Sequence, residues 1–313
     1  TNDEGWTDWK ASLMNQLYKS TNAYFCDRKS FEKQFNRPLK EAKAKVLTKV
    51  PESYAEEVEA HFASMPARYF RHRGSASMAR HVKQFHKFFK LVHRTTNESL
   101  IPILHWETRS DEGYSLLEVV GWNRHQLLAK VAGALAARNL NILSADFFTR
   151  SDDLVLNIFR ICTPTFNPVK SPREIERIEK LIAEEFSADV CHVDFTDLIK
   201  KRSQPTITAA EPPNFDIPQR VLLSNEEEEL TTVLEIQAED RIGLLYDIFT
   251  ALSHLDAAVL SARISTQAGA AIDRFHLLDL RSEKKIIDHE RLQAIEEAVS
   301  ACLEKKTPVE AIM

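Results

Sequence analysis

The sequence is poor in the residues on which most catalytic and metal-binding motifs are built. Its four cysteines, Cys26, Cys162, Cys191 and Cys302, lie far apart and form no CxxC pair. They read as reduced thiols rather than a zinc framework or a disulfide scaffold. Glycine is scarce, with seven in 313 residues, and neither GxGxxG nor GxxxxGK[ST] occurs. The usual backbone cradles for dinucleotides and nucleoside triphosphates are therefore excluded. No Asp-x-Asp is present to share the two metals of nucleotidyl transfer, and no adjacent His-Asp pair of the kind metal phosphohydrolases use. No apolar run approaches the roughly 20 residues of a membrane span, and no signal peptide is visible. A net charge of -5 gives no general attraction for nucleic acid or acidic membranes. By these absences the chain itself is expected to hold no catalytic set, no metal and no cofactor, and to work in the cytoplasm.

What is present is enough apolar residue, 43%, for two or three ordinary cores. The first residue is Thr1, not methionine, as expected of a piece of a longer protein. Residues 1–108 read as helical: Trp6, Trp9, Leu13, Leu17 and Tyr18 recur at helical spacing, and Pro38, Pro51 and Pro66 punctuate further helical patterns. Beyond them the pattern changes. "YSLLEVVGW" predicts a strand, "NRHQLLAKVAGALAARN" a helix, and "NILSADFFT" and "LVLNIFRICT" two strands. "SPREIERIEKLIAEEF" predicts a second helix with a Ser cap and Pro at its start, and "ADVCHVDF" a closing strand. That order, βαββαβ over 112–200, is a ferredoxin-like module. A polar, Pro-bearing linker follows at 201–214, and the same order returns over 215–313.

The recurrence is a true internal repeat. With no gap, Leu117, Glu118, Arg124, Leu127, Leu128, Ala134, Leu135, Leu143, Ser144, Ala145 and Thr149 fall on Leu234, Glu235, Arg241, Leu244, Leu245, Ala251, Leu252, Leu260, Ser261, Ala262 and Thr266. One deletion then brings Phe159 onto Phe275. The second copy lacks an obvious last strand, and "RVLLSN", joined to it by the acidic turn "EEEE", is expected to add one in front. The fold class is thus α+β: a helical segment, then two ferredoxin-like domains.

The most informative stretch is "DRIGLLYDIF", Asp240–Phe249, where a strand gives way to a helix. Asp240 is placed to cap the first helical amides, and Gly243 leaves them open to a small anion such as the carboxylate of an amino acid. A structural tight turn is an equal reading of these residues alone. The first copy has "NRHQLL": Asn123, Arg124, His125, Gln126 and Leu127 stand for Asp240, Arg241, Ile242, Gly243 and Leu244. Gln126 puts a side chain where Gly243 has none, and Asn157 replaces the acid at Asp273, so the first loop is expected to be a degenerate site and its module a structural partner.

Strand-to-helix "DRIGLL" in a βαββαβ frame resembles the ACT domain, which typically binds amino acids at domain interfaces. "TVLEIQAEDRIGLLYDIFTAL" with "VLSARISTQAGAAIDRFHLLD", and "LAKVAGALAARNLNILSADFFTRSDDLVLNIF" upstream, resemble the paired ACT modules of the bacterial [protein-PII] uridylyltransferase/uridylyl-removing family. "TNDEGWTDWKASLMNQLY" and "MPARYFRHRGSASMARHV" resemble that family's segments between its HD hydrolase domain and the ACT pair. The resemblance implies a regulatory region with L-glutamine as effector and the PII signalling protein as partner of the parent enzyme. It also implies Asp240, Arg241, Ile242, Gly243 and Leu244 as the ligand loop, and ACT sheets paired within the chain or in a homodimer. Magnesium is implied only for catalytic domains that this chain does not show. The alternative is a stand-alone amino-acid-binding ACT-repeat protein acting through a protein partner.

Two rival features are weaker. His72, His81, His86 and His93 have no cysteine or carboxylate at ligand spacing, so metal is not expected. Arg68, Arg71, Arg73, Arg80, Lys83, Lys87, Lys90 and Arg94 alternate with aromatics as in single-strand binders, but Phe85, Phe88 and Phe89 have the spacing of a buried helix face. Nucleic acid is therefore not an expected partner.

Overall fold

A computed structural model describes Met14, Tyr18 and residues 39–71, 73–93, 100–187, 193–202, 218–267 and 270–304. The expected helix through Trp6–Tyr18 is described only at Met14 and Tyr18, both helical, and the linker beyond 202 and the chain end beyond 304 lie outside the described residues. The chain forms a mixed helix and sheet structure with antiparallel strands, in two compact units. One unit is Thr1–Asn123 with Phe148–Ile158 and Phe186–Val190; the other is Arg124–Phe147, Phe159–Glu185 and Cys191–Met313.

The first unit contains helices Leu39–Leu47 (α1), Ala55–Ser64 (α2), Ala67–Arg71 (α3) and Ser75–Val92 (α4), then strands Ile103–Arg109 (β1) and Tyr114–Trp122 (β2). In α4 the residues Met78, Val82, Phe85 and Phe88, three or four apart, are buried, while Lys83, Lys87 and Lys90 are exposed. Its aromatic rings therefore serve the core, each contributing about 1.5–3 kcal/mol on burial. Arg68 and Arg73 lie over the Phe148 ring and Arg150 over that of Phe85, so the basic residues here cover aromatic faces. Residues 103–109, which the helical reading of 1–108 includes, form a strand instead. They pair antiparallel with β2 from Ile103↔Val120 to Arg109↔Tyr114. Pro102 blocks a helix through this point, and its Cβ reaches within 3.1 Å of where a Cβ on Gly121 would stand, so Gly121 admits the crossing.

A buried polar chain ties α2, α3 and α4 to β2. The His61 Nε2–H donates to Tyr69 Oη at 3.1 Å, the Tyr69 hydroxyl to His81 Nδ1 at 2.7 Å, and the His81 Nε2–H to Glu118 Oε1 at 3.1 Å. Only this direction works, because an ionised carboxylate accepts and cannot donate. Arg80 adds a bidentate pair to Glu118 at 3.0 and 2.6 Å, and Gln84 donates to the same carboxylate. Burial alone would raise the Glu118 carboxyl, but the bonds and charges of His81 and Arg80 more than offset it and hold it well below the usual range. Burial, with the charges of His81 and Arg150, lowers His61 to about 3.

Both shifts make the first unit acid-sensitive. His61 is near 6.5 when unfolded and about 3 when folded, so its contribution is complete above 6.5 and is lost as pH falls towards 3. Glu118, depressed in the folded state, loses its contribution at lower pH still. All four tryptophans, Trp6, Trp9, Trp106 and Trp122, precede residue 124, so tryptophan fluorescence reports on this unit. Its thermal midpoint is expected to hold from pH 7.5 to about 6.5 and to fall from there to pH 5; a midpoint constant over the lower range contradicts the assignment.

The second unit holds helices Leu127–Ala137 (α5), Pro172–Phe186 (α6, to Glu185), Phe195–Arg202 (α7), Leu244–His254 (α8) and His289–Leu303 (α9). Its strands are Asn141–Thr149 (β3) as far as Phe147, Leu154–Cys162 (β4) from Phe159 on, Arg220–Ser224 (β5), Thr232–Glu239 (β6), Ala257–Arg263 (β7), Thr266–Gln267 (β8) and Ala270–Asp279 (β9). Strands β3, β7, β9, β6 and β5 are neighbours in that order, with β8 paired to β9. The expected extra strand at "RVLLSN" is β5, antiparallel to β6 from Arg220↔Gln237 to Ser224↔Val233. Strands β3 and β7 join through Ser144↔Arg263, Ala145↔Ala262 and Asp146↔Ser261. Ala145 and Ala262 are equivalent in the repeat, so the two copies pair symmetrically about that point, within the chain.

The closing strand expected at "ADVCHVDF" is not formed where it is described. Residues 188–192 of it lie outside the described residues, and Phe195 already belongs to α7. Asp194 Oδ1 accepts from the Asp197 N–H at 2.9 Å, a helix cap, and α7 buries Phe195 and Ile199. Phe195 packs where a Cβ on Gly133 of α5 would be only 2.7 Å from its ring, and edge-on against Tyr246 of α8.

Candidate functional site

The two strand-to-helix loops of the repeat have the same backbone and different surroundings. Gly243 stands at the N-cap of α8 with φ 85° and ψ 0°, and Gln126 at the N-cap of α5 with φ 60° and ψ 14°. Left-handed backbone at this turn is therefore common to both copies and does not by itself demand glycine. What demands it is a neighbour: a Cβ on Gly243 would stand 3.0 Å from Ile199 Cγ2 and 3.2 Å from its Cδ1. The group that approaches this glycine most closely is thus a side chain of α7. Neither N-cap residue caps its own helix with a side chain: Gly243 has none, and Gln126 makes no such bond. Asn123 donates to Asp153 Oδ1 at 3.0 Å. In the first turn of α8 the Leu244 N–H donates to the Arg241 carbonyl at 3.2 Å.

The loop Asp240–Leu244 does line a cavity of about 260 Å³, large enough for a small amino acid. Its opposite wall is the end of α5 and the start of β3, where Ala132 and Ala136 present only methyl groups. All five predicted loop residues border it, though the Arg241 guanidinium is turned to Asp247 and to the Cys302 carbonyl, 3.0 Å away. Arg241 therefore braces the loop against α9.

At the first loop the equivalent space is filled. The Gln126 backbone N–H donates to Ser253 Oγ at 3.3 Å, its side-chain amide meets His254 Nε2 at 2.7 Å, and His125 stacks on His254 with ring centres 5.9 Å apart. Shifted by the repeat, Ser253 and His254 of α8 correspond to Ala136 and Ala137 of α5. Each loop thus faces the far end of the other copy's helix: one end carries serine and histidine and closes, the other carries alanines and stays hollow. Arg124 and Leu127 keep their repeat positions beside the filled loop, Leu127 buried at the start of α5. Gln126 has room for its side chain, which reaches His254, whereas the glycine at 243 stands against Ile199.

One acid stands out on the cavity wall. Asp273 of β9 is only 2% exposed, and Oδ1 accepts from the Ser265 N–H at 3.3 Å. Burial pushes its carboxyl up to about 8, the Ser265 bond partly opposes this, and the charge of Asp240 adds to it. Asp273 is therefore predominantly neutral at pH 7. No ion-pair partner lies within 4 Å of it among the described residues, and no cluster of three His, Cys, Asp or Glu that could hold a metal is found among them. No described helix is long and apolar enough to cross a membrane.

Residues 220–312, which include this strand-to-helix loop and its antiparallel strands, match the family described as "ACR9-like, ACT-like domain". The chain as a whole is a homologue of the C-terminal part of bifunctional uridylyltransferase/uridylyl-removing enzymes. It is 27% identical over 307 residues to the one from Rhodospirillum rubrum, covering 97% of this chain and 31% of that protein. The Azospirillum brasilense protein of that name is 28% identical over 88% of this chain and 28% of its own length, and that of Gluconobacter oxydans 30% identical over 62% and 20%. The chain thus spans about a third or less of these curated relatives. Among solved structures, the aspartate kinase from Synechocystis overlaps 62% of this chain and 28% of its own, at 17% identity and a TM-score of 0.32, too slight a likeness to build on.

Proposed function

We propose that this chain is the glutamine-sensing regulatory region of a PII uridylyltransferase/uridylyl-removing enzyme, with two ferredoxin-like ACT modules at 112–200 and 215–313 behind a helical segment. The observation that carries the reading is the hollow at Asp240–Leu244 beside a filled equivalent at Asn123–Leu127. A ligand carboxylate sits at the N-terminal end of α8, where the partial positive charge of the helix end favours an anion. Occupancy bridges the loop of one copy and the α5 end of the other, so ligand binding can bias how the two modules pack. That is the physical content of regulation here: the effector binds better to one arrangement of the pair, and cytoplasmic catalytic domains of the parent enzyme read the difference. The region itself is proposed to need no cofactor, and magnesium serves only those catalytic domains.

Titration calorimetry on the chain tests this. L-Glutamine is expected to bind at one site with micromolar to millimolar affinity, as effectors of enzymes commonly do, and L-glutamate distinctly more weakly. A folded sample that gives no heat with glutamine up to millimolar concentration overturns the reading.

A further inference from the structure

We propose that Asp273, buried on the cavity wall, is the residue that makes the cavity select a neutral carboxamide over a carboxylate, its carboxyl group donating to the carboxamide oxygen and accepting from its N–H. This rests on the reading of the cavity as an amino-acid site. The cavity has two chemically different walls. At the loop, the first turn of α8 borders the cavity through Leu244, Leu245 and Tyr246, at the positive end of the helix. At β9, Asp273 offers a carboxyl group buried to 2% and, among the described residues, free of any cationic partner. An amino acid that places its α-carboxylate at the loop turns its side chain towards the remaining walls, where Ala132, Ala136, Leu140, Ile142 and Ile264 are apolar, Asn139 and Asn141 are polar but uncharged, and Asp273 is the acid on the sheet.

The charges around Asp273 decide which side chain is accepted. Across the cavity stand Asp240 and Arg241, the latter tied to Asp247 and Cys302, while α5 contributes only alanines. On the other side of the strand lie Arg220, Glu235, Arg263 and Arg274, with Arg274 paired to Glu235 at 3.0 Å. Burial with Asp240 nearby keeps Asp273 protonated up to about pH 8. A neutral carboxyl in an apolar wall is a matched donor and acceptor for a carboxamide. A carboxylate side chain could accept only by standing beside Asp240 in low dielectric, where like charge repels it. The first copy carries Asn157 at the equivalent position, also buried to 2%, so the fold tolerates an amide there.

The test is calorimetry of glutamine and glutamate with the parent chain and Asp273→Asn between pH 6 and 8.8. The thermal midpoint of the variant at pH 7.5 should equal or exceed the parent's, since it no longer buries an ionisable acid. Asn donates without a negative form, so Asp273→Asn is expected to keep glutamine binding within a few fold. It should keep the preference for glutamine over glutamate as well, whereas Asp273→Leu, which removes donor and acceptor together and whose folding the same thermal midpoint checks, should lower that preference by about tenfold or more. In the parent, glutamine affinity is expected to be flat below about pH 8 and to fall above it, and Asp273→Asn should lack that fall. Loss of glutamine binding in Asp273→Asn, with parent affinity rising from pH 6 to 8, would show Asp273 taking the ligand's ammonium group and overturn the inference. An unchanged preference in a folded Asp273→Leu chain would overturn it as well, leaving Asp273 structural. Absence of glutamine binding by the parent overturns the proposed function itself, a distinguishable result.

Discussion

Replacing Glu118 with glutamine is expected to destabilise the first unit by about 3–5 kcal/mol, the range for removing one partner of a buried ion pair. Glu118 is 1% exposed and takes the charges of Arg80 and the bond of His81 together. Glutamine there leaves Arg80 with only Glu107, at 3.1 Å, and breaks the order of the His61–Tyr69–His81 chain, since its amide can donate where only an acceptor fits. The repeat provides the control. Glu235 occupies the same repeat position but is 42% exposed in its side chain and pairs with Arg274, so Glu235→Gln is expected to cost about 1 kcal/mol or less. Denaturant unfolding followed by tryptophan fluorescence should show the Glu118 loss at pH 7.5. A loss below about 1 kcal/mol would mean that the buried network contributes little net stability.

Gly243→Gln is expected to abolish glutamine binding, and Ala136→Leu to do the same from the opposite wall. The two act differently. A side chain at residue 243 must adopt φ 85° and push Ile199 aside, so roughly 1–3 kcal/mol of stability is lost along with the cavity. Leu at residue 136 fills space that is already empty and leaves the loop backbone untouched, so its thermal midpoint should stay close to the parent's. Gln126→Gly should create no second site, because Ser253, His254 and His125 still occupy the space. Thermal unfolding and calorimetry on the same samples separate blocked binding from misfolding. Full glutamine affinity in a folded Ala136→Leu chain would place the ligand elsewhere.

Much of this architecture is legible before any coordinates. The alternation in "TTVLEIQAE" and the apolar spacing in "LLYDIFTALSHL" mark β6 and α8, because one-sided burial imposes its period on the sequence. The strand at "RVLLSN" follows from a missing sheet partner. The strand β1 escapes notice because it is half-buried along nearly all its length and mixes His105, Glu107 and Arg109 with Trp106, so no clean alternation appears. The helix α7 hides in the opposite way: Asp194 with Asp197, and Phe195, Leu198 and Ile199, carry a helix start and spacing, but they follow a stretch that reads as strand.

The site was half legible. The loop Asp240–Leu244 and the contrast with Gln126 are visible in the repeat, and so is the replacement of Asp273 by Asn157. What the repeat alignment holds without announcing it is the pairing of Ser253 and His254 with Ala136 and Ala137. That difference becomes a filled and an open cavity only once β3 and β7 pair and bring each loop to the other helix's end. The same holds for Gly243, whose reason is Ile199, more than forty residues earlier in the chain.

The central claim is that one loop of the repeat is a ligand site and the other is closed by the chain's own side chains. Equilibrium dialysis of the chain against radiolabelled L-glutamine at saturation counts this directly, with Ala136→Leu dialysed alongside. The account predicts one glutamine per parent chain and none per Ala136→Leu chain. Two per parent chain, or one retained in Ala136→Leu, would contradict it.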